Sequence, residues 1–147
     1  MSEFPHHYRV SAAGGAEGEV NVSSAGLPAL STSPPPQFGG DGDQWSPETL
    51  FVAAVADCFV LTFRSVARAS GLEWESLHCD VEGLLDRQER TTRFTRFEVR
   101  PVLRIADESK RDRAERCLEK AERACLITSS LTAEVALESR VETADAT

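Results

Sequence analysis

The 147-residue chain carries a formal net charge of −8, with acidic residues well in excess of basic ones. Nucleic acid and anionic membrane surfaces both select Lys and Arg clusters, so neither is expected as a partner. The length suits one domain spanning 1–147, with short flexible ends at about 1–5 and 142–147. No uninterrupted apolar run reaches the ~20 residues of a membrane span, and Met1 to Val10 lacks a signal-peptide plan. A cytoplasmic location is expected.

From the start, His6–Ala13 and Ala16–Ser23 read as two short strands around Gly14-Gly15, a hairpin pattern. A long loop follows. Ser33-Pro34-Pro35-Pro36 and Gly39-Gly40-Asp41-Gly42-Asp43 sustain neither a helix nor a central strand. Such a loop is either functional or a plain linker.

The first helix has a definite start. Ser46 is the capping candidate, Pro47 fits the first helical position, and Glu48 suits the positive end of the helix dipole. From Leu50 to Phe63 the helix is apolar nearly all round, so burial on most sides is expected. It should stop near Gly71, and it reads as too short and too flanked by charge to cross a bilayer. One sheet and one further helix cannot cover it, and a second copy of the chain is the direct remedy.

Two strands follow, one around Leu77, Cys79, Val81, Gly83 and Leu85, the other from Phe97 to Ile105. Their alternation with polar neighbours predicts a sheet with one wet face. The polar link Asp86–Thr92 makes them a hairpin, and Pro101 suggests an edge strand or a bulge. A second helix is expected over about Glu108–Cys125, with Ala114, Cys117, Leu118, Ala121, Ala124 and Cys125 on one face, ended by Thr128-Ser129-Ser130. Ala133–Val141 reads as a last strand with Val135 and Leu137 inward. No internal repeat is visible. The order of elements is that of an α+β fold.

The four cysteines are Cys58, Cys79, Cys117 and Cys125, and none forms a C-x-x-C pair. With three histidines, two near the start, the chain offers no zinc-ligand spacing, so neither a metal nor a cofactor is expected. Cys79 and Cys117 read as packing residues of a strand and a helix stripe. For Cys58, inside the apolar helix, and Cys125, at the end of the second helix, the residues alone leave packing and chemistry both open.

The local sequences bear on that choice. Gly39-Gly-Asp-Gly-Asp-Gln-Trp-Ser-Pro-Glu48-Thr-Leu-Phe51-Val-Ala-Ala-Val-Ala-Asp-Cys58-Phe59 and Ala124-Cys125-Leu-Ile-Thr-Ser-Ser-Leu131 resemble the OsmC/Ohr family of thiol-dependent hydroperoxide reductases. The resemblance implies an intertwined homodimer, with antiparallel sheets around two central buried helices and two active sites at the interface. It implies that Cys58 attacks an organic hydroperoxide, that Cys125 resolves the product, and that Glu48 is the family glutamate. Phe51 and Phe59 are expected to line the substrate pocket. The partner implied is an external dithiol reductant, such as a lipoylated protein.

Two departures stand out. The family's peroxidases carry a thiolate-stabilising arginine just after a Gly-Gly pair, where this chain has Ala16. The second cysteine usually precedes Pro-Val-Ser-Asn, where this chain has Leu126-Ile127-Thr128-Ser129. A thiol in an apolar site without a cation is expected to have a raised pKa. A relative that binds an apolar small molecule, or senses redox state, is the alternative reading. Glu48 and Cys58 are ten residues apart, about 15 Å along one helix. A glutamate serving Cys58 must therefore come from the other subunit.

Overall fold

A computed structural model describes residues 3–143. The chain forms two compact units, divided between Phe51 and Val52 within a long helix.

The first unit holds a three-stranded antiparallel sheet, β1 (Ser11–Ala13), β2 (Val20–Ser23) and β3 (Leu30–Thr32), in that order. The hairpin expected here forms, with shorter strands, and Ala16 sits in the bend between them. The third strand was not legible, being only three residues long. The proline run is folded rather than extended. Pro36–Phe38 makes a 3₁₀ turn, and the amides of Phe38 and Gly40 both donate to the Pro35 carbonyl. A side chain at Gly40 would overlap the Pro34 carbonyl, so the turn requires glycine there. Thr32 bridges to Trp45, closing the loop.

Helix α1 (Pro47–Ser70) begins as its sequence dictates. Ser46 Oγ accepts from the Thr49 amide at 3.1 Å while Thr49 Oγ1 accepts from the Ser46 amide at 2.9 Å, a reciprocal cap with Thr at the third helical position. It ends in a Schellman arrangement. Gly71 is left-handed (φ 68°), and the amides of Gly71 and Leu72 donate to Arg68 and Ala67. The expectation that this helix is too short for a bilayer is corrected. Its cap and stop sit further out than the apolar run, and at 24 residues it is long and apolar enough, by length and composition, to cross a membrane.

In the second unit a sheet is built from β4 (Ser76–Gln88), β5 (Thr91–Ile105), β6 (Glu134–Leu137) and β7 (Arg140–Thr143). β4 and β5 form the expected hairpin, closed by Glu89 and Arg90, both at positive φ as a two-residue primed turn requires. The sheet is not wholly antiparallel. β6 and β7 both run parallel to β5, because helices α2 (Arg111–Ala124) and α3 (Leu126–Ser129) carry the chain back across it. The single last strand expected at Ala133–Val141 is thus two. Pro101 lies in the central strand, not an edge. It falls between the β6 register, which ends opposite Val99, and the β7 register, which begins opposite Val102, so no strand faces it on that side. Of the ends expected to be flexible, residues 142 and 143 belong to β7, and residues 1–2 and 144–147 lie outside the described residues.

The core of this unit joins one stripe of α1 (Val55, Phe59, Phe63, Val66), the inward residues of β5 (Phe97, Val99, Leu103, Ile105) and the inner face of α2 (Ala114, Cys117, Leu118, Ala121). Phe63 meets Trp74 edge to face at 5.3 Å. The outer sheet face is wet, as alternation predicts, with Arg96 paired to Glu134 and Arg104 to Glu75, each at 3.1 Å. Helix α1 is not buried on most sides within one chain. Only 28 % of its most apolar stretch is buried, and Leu61 stands 50 % exposed.

Candidate functional site

Cys58 lies midway along α1, half-buried, on the stripe that the core leaves free. Ala54, Leu61, Thr62 and Ser65 share that stripe, at spacings of three, four and seven from the cysteine. Thr62 Oγ1 stands 3.7 Å from Cys58 Sγ. Cys125 is 1 % exposed at the end of α2, where its extended backbone (φ −65°, ψ 114°) breaks the helix. The second helix therefore does not run on to Thr128-Ser129-Ser130. Instead α3 starts afresh at Leu126, and Thr128 and Ser129 side chains donate back to the Cys125 carbonyl at 3.2 and 2.8 Å.

The break has a chemical consequence. The first amides of a helix have no acceptor within it, and those of Leu126 and Ile127 favour the Cys58 thiolate. Burial pushes the Cys58 pKa up. The Ile127 amide, the neighbouring Cys125 thiol, the Thr62 hydroxyl and the Leu126 amide together outweigh it, so the pKa lies below the ordinary thiol value. This corrects the expectation of a raised pKa, which counted cations and overlooked backbone donors. Cys125 moves the other way. Burial raises it, bonding from Thr128 opposes, and the adjacent Cys58 raises it further. Of two neighbouring free thiols, one is biased toward the thiolate and the other away from it.

The remaining cysteines have a different character. Cys79 faces inward from β4 and is pushed up to about 12, first by burial and then by the charges of Asp80 and Cys125. Cys117 is 3 % exposed in the α2 stripe, packed in the core.

A shallow recess of about 460 Å³ opens beside Cys58, walled by Ala54, Leu61, Leu126 and Ile127 with Asp57 at its side. The aromatic lining expected from sequence is not there. Phe59 is one step further round the helix, 2 % exposed in the core, and Phe51 is not among the residues that wall the recess. Positions four before and three after Cys58, together with the residues just past Cys125, are the signal that would have found the lining of this recess.

Glu48 stands in the first turn of α1, in the first unit. Its Oε1 is buried and accepts no hydrogen bond from the described residues. Among the described residues no three His, Cys, Asp or Glu side chains are grouped to hold a metal ion.

Residues 40–140 match the family model described as OsmC-like protein, and the chain belongs to that family. Among proteins of known sequence it is 26 % identical over 137 residues to the uncharacterized protein YmaD of Bacillus subtilis, covering 90 % of this chain and 91 % of that one. The fold is that of an OsmC-like protein of unknown function from Vibrio cholerae, at TM-score 0.81 and 21 % identity, covering 92 % of this chain and 99 % of the other. It is likewise that of an organic hydroperoxide resistance protein from Legionella pneumophila, at TM-score 0.75 and 24 % identity over 95 % and 99 % of the two chains. The organic hydroperoxide resistance protein OhrB of Bacillus subtilis matches at TM-score 0.65 and 18 % identity, over 93 % and 98 %.

Proposed function

We propose that this chain is a thiol-dependent reductase of organic hydroperoxides, with Cys58 as the attacking thiolate and Cys125 as the resolving thiol. The observation that carries the reading is the opposite bias of the two neighbouring thiols, Cys58 lowered by amide and hydroxyl donors and Cys125 raised by burial. The thiolate attacks the distal peroxide oxygen. An S–O bond forms as the O–O bond breaks, and the departing alkoxide takes a proton and leaves as alcohol. The Cys125 thiol then displaces the sulfenic hydroxyl as water, leaving a Cys58–Cys125 disulfide. An external dithiol reopens it by two exchange steps and is itself oxidised to a disulfide. A lipoylated protein or another small dithiol suits that role. The apolar recess beside Cys58 favours an organic peroxide over hydrogen peroxide, and a reducing cytoplasm keeps the resting thiols free.

The working form in this reading is a homodimer. The support is the apolar stripe of α1 that its own chain leaves uncovered, Leu61 above all. Glu48 would then serve the Cys58 of the second copy. Sedimentation at micromolar concentration should give a dimer, and a folded monomer would remove this part. Mixed Glu48→Ala and Cys58→Ser subunits should regain about half of the wild-type activity per dimer if the sites act independently.

The test of the chemistry is a titration of reactive thiols with and without cumene hydroperoxide, followed by disulfide mapping. One Cys58–Cys125 link is expected, with Cys79 and Cys117 free. A principal link between Cys117 and Cys125 would overturn the assignment. A second reading, in which a dimer of this fold binds an apolar small molecule or senses redox state, is favoured by Ala16 standing where the family's peroxidases carry arginine. Intact thiols after peroxide treatment would select apolar binding, and a Cys58–Cys125 link formed without turnover of peroxide in the presence of a dithiol would select redox sensing.

A further inference from the structure

Helix α2 carries its charges in two ridges. Arg113, Arg116, Lys120 and Arg123 fall within about 80° of one another around the axis, over about 15 Å of its length. Asp112, Glu115, Glu119 and Glu122 form the ridge beside them, while Ala114, Cys117, Leu118 and Ala121 face the core. The basic ridge and Ser70, at the end of α1, bound a recess of about 530 Å³, in which Glu119 is the one carboxylate of the lining. Neighbours along the ridge are three or four residues apart, a spacing at which like charges destabilise a helix. By contrast, Arg96, Arg100, Arg104 and Arg111 each pair with a glutamate. None of the four cations of the recess closes an ion pair or a side-chain hydrogen bond among the described residues, although Asp112 and Glu119 stand four residues before Arg116 and Arg123. In a chain of net charge −8, these cations concentrate positive potential around one recess, and nothing in the fold neutralises it.

We infer that this recess binds a short polyphosphate chain, free or as the tail of a nucleotide, whose phosphates run along Arg113, Arg116, Lys120 and Arg123. Three of these are arginines, whose planar forks meet phosphate oxygens two at a time, and Ser70 adds a hydroxyl donor. A chain suits the ridge because one phosphate cannot reach cations spread over about 15 Å. A short chain suits it better than nucleic acid, because a long polyanion would run on against the acidic ridge alongside. No residue of this recess lines the one beside Cys58, so the site stands apart from the thiol chemistry.

Calorimetric titration of the full chain tests this, with the thiols reduced, divalent metal ions removed and the ionic strength low, so that screening is weak. Saturable binding of tripolyphosphate is expected, tighter than orthophosphate by about tenfold or more. ATP separates the two sources: an affinity about tenfold above that of tripolyphosphate assigns a nucleotide, and an affinity no greater assigns the free chain. Arg116→Gln combined with Lys120→Gln should weaken tripolyphosphate by about tenfold or more. Arg87→Gln combined with Arg93→Gln takes the same charge from the β4–β5 hairpin and should leave the affinity unchanged. Equal losses in the two double variants would overturn the inference, since net charge alone would then explain the binding. Absence of saturable tripolyphosphate binding up to about 10 mM would also overturn it. So would orthophosphate that binds as tightly as the chain, or a single-stranded oligonucleotide that binds more tightly than tripolyphosphate. These last comparisons use the unaltered protein and are independent of any variant's folding. Cys58→Ser should bind tripolyphosphate as the wild type does, so failure of the thiol reading and failure of this one are distinguishable.

Discussion

At Gly83 the helix α1 packs closely on the sheet, and a single methyl there measures it. A Cβ added at this position would stand 2.8 Å from Val52 Cγ2 of the helix and 3.0 Å from Cε1 of both Phe94 and Phe97. Normal carbon contacts are about 3.5–4.0 Å, so the methyl must displace atoms on three sides. Two of them are aromatic edges, and those rings are stacked on each other with centroids 5.3 Å apart. Neither can swing away without disturbing the other. Overpacking of this kind costs about 1–3 kcal/mol, while restricting the unfolded chain by Gly→Ala returns about 0.4–1 kcal/mol. The net loss expected for Gly83→Ala is about 1–2 kcal/mol, a fall in Tm of about 3–6 °C for a chain of this size. Urea and thermal unfolding followed by circular dichroism would measure it. A Tm equal to or above wild type would refute the reasoning, since it would mean that Val52 and the two rings yield at no cost and that the helix is not seated on the sheet at this point.

Other consequences are open to measurement. Cys58 should be alkylated by iodoacetamide at lower pH than an ordinary cysteine, and ahead of Cys125, in a mass-spectrometric pH series, because its donors favour the thiolate; coincident profiles would contradict the asymmetry. Removing the cap with Ser46→Ala should cost about 1 kcal/mol of stability in the same unfolding assay, since the hydroxyl that accepts from the Thr49 amide and meets Thr49 Oγ1 is lost while the Ser46 amide keeps its bond. Cys79 keeps its proton in the fold up to about pH 12, whereas the unfolded chain releases it near the ordinary 9.0. The folded state thus binds more protons in that window, and stability falls as pH rises through it. Cys79→Val should therefore gain on wild type between pH 9 and 12 and show no such trend below pH 9; a parallel pH dependence of the two proteins would rule out this source.

The ends of α1 were legible because they are local chemistry. Ser46, Pro47 and Gly71 act on backbone groups within a few residues of themselves, so their types alone fix where the helix starts and stops. Alternation along β4 and β5 was legible for the same reason, since a period of two needs no knowledge of the partner strand. The motifs around Cys58 and Cys125 were equally readable as a family resemblance. What the amino-acid order could not convey is what stands opposite. Whether β6 and β7 run parallel or antiparallel to β5 depends on where two helices deliver the chain. Pro101 could sit in a central strand because the seam between β6 and β7 falls beside it. The character of Cys58 was decided the same way. Its neighbours in sequence are apolar and predict a reluctant thiol, but the amides that lower its pKa come from Leu126 and Ile127, at the start of another helix. Tertiary structure alone brings a donor to an acceptor across that distance, and every backbone amide is a potential donor whatever its side chain, so the residue types leave no trace of it.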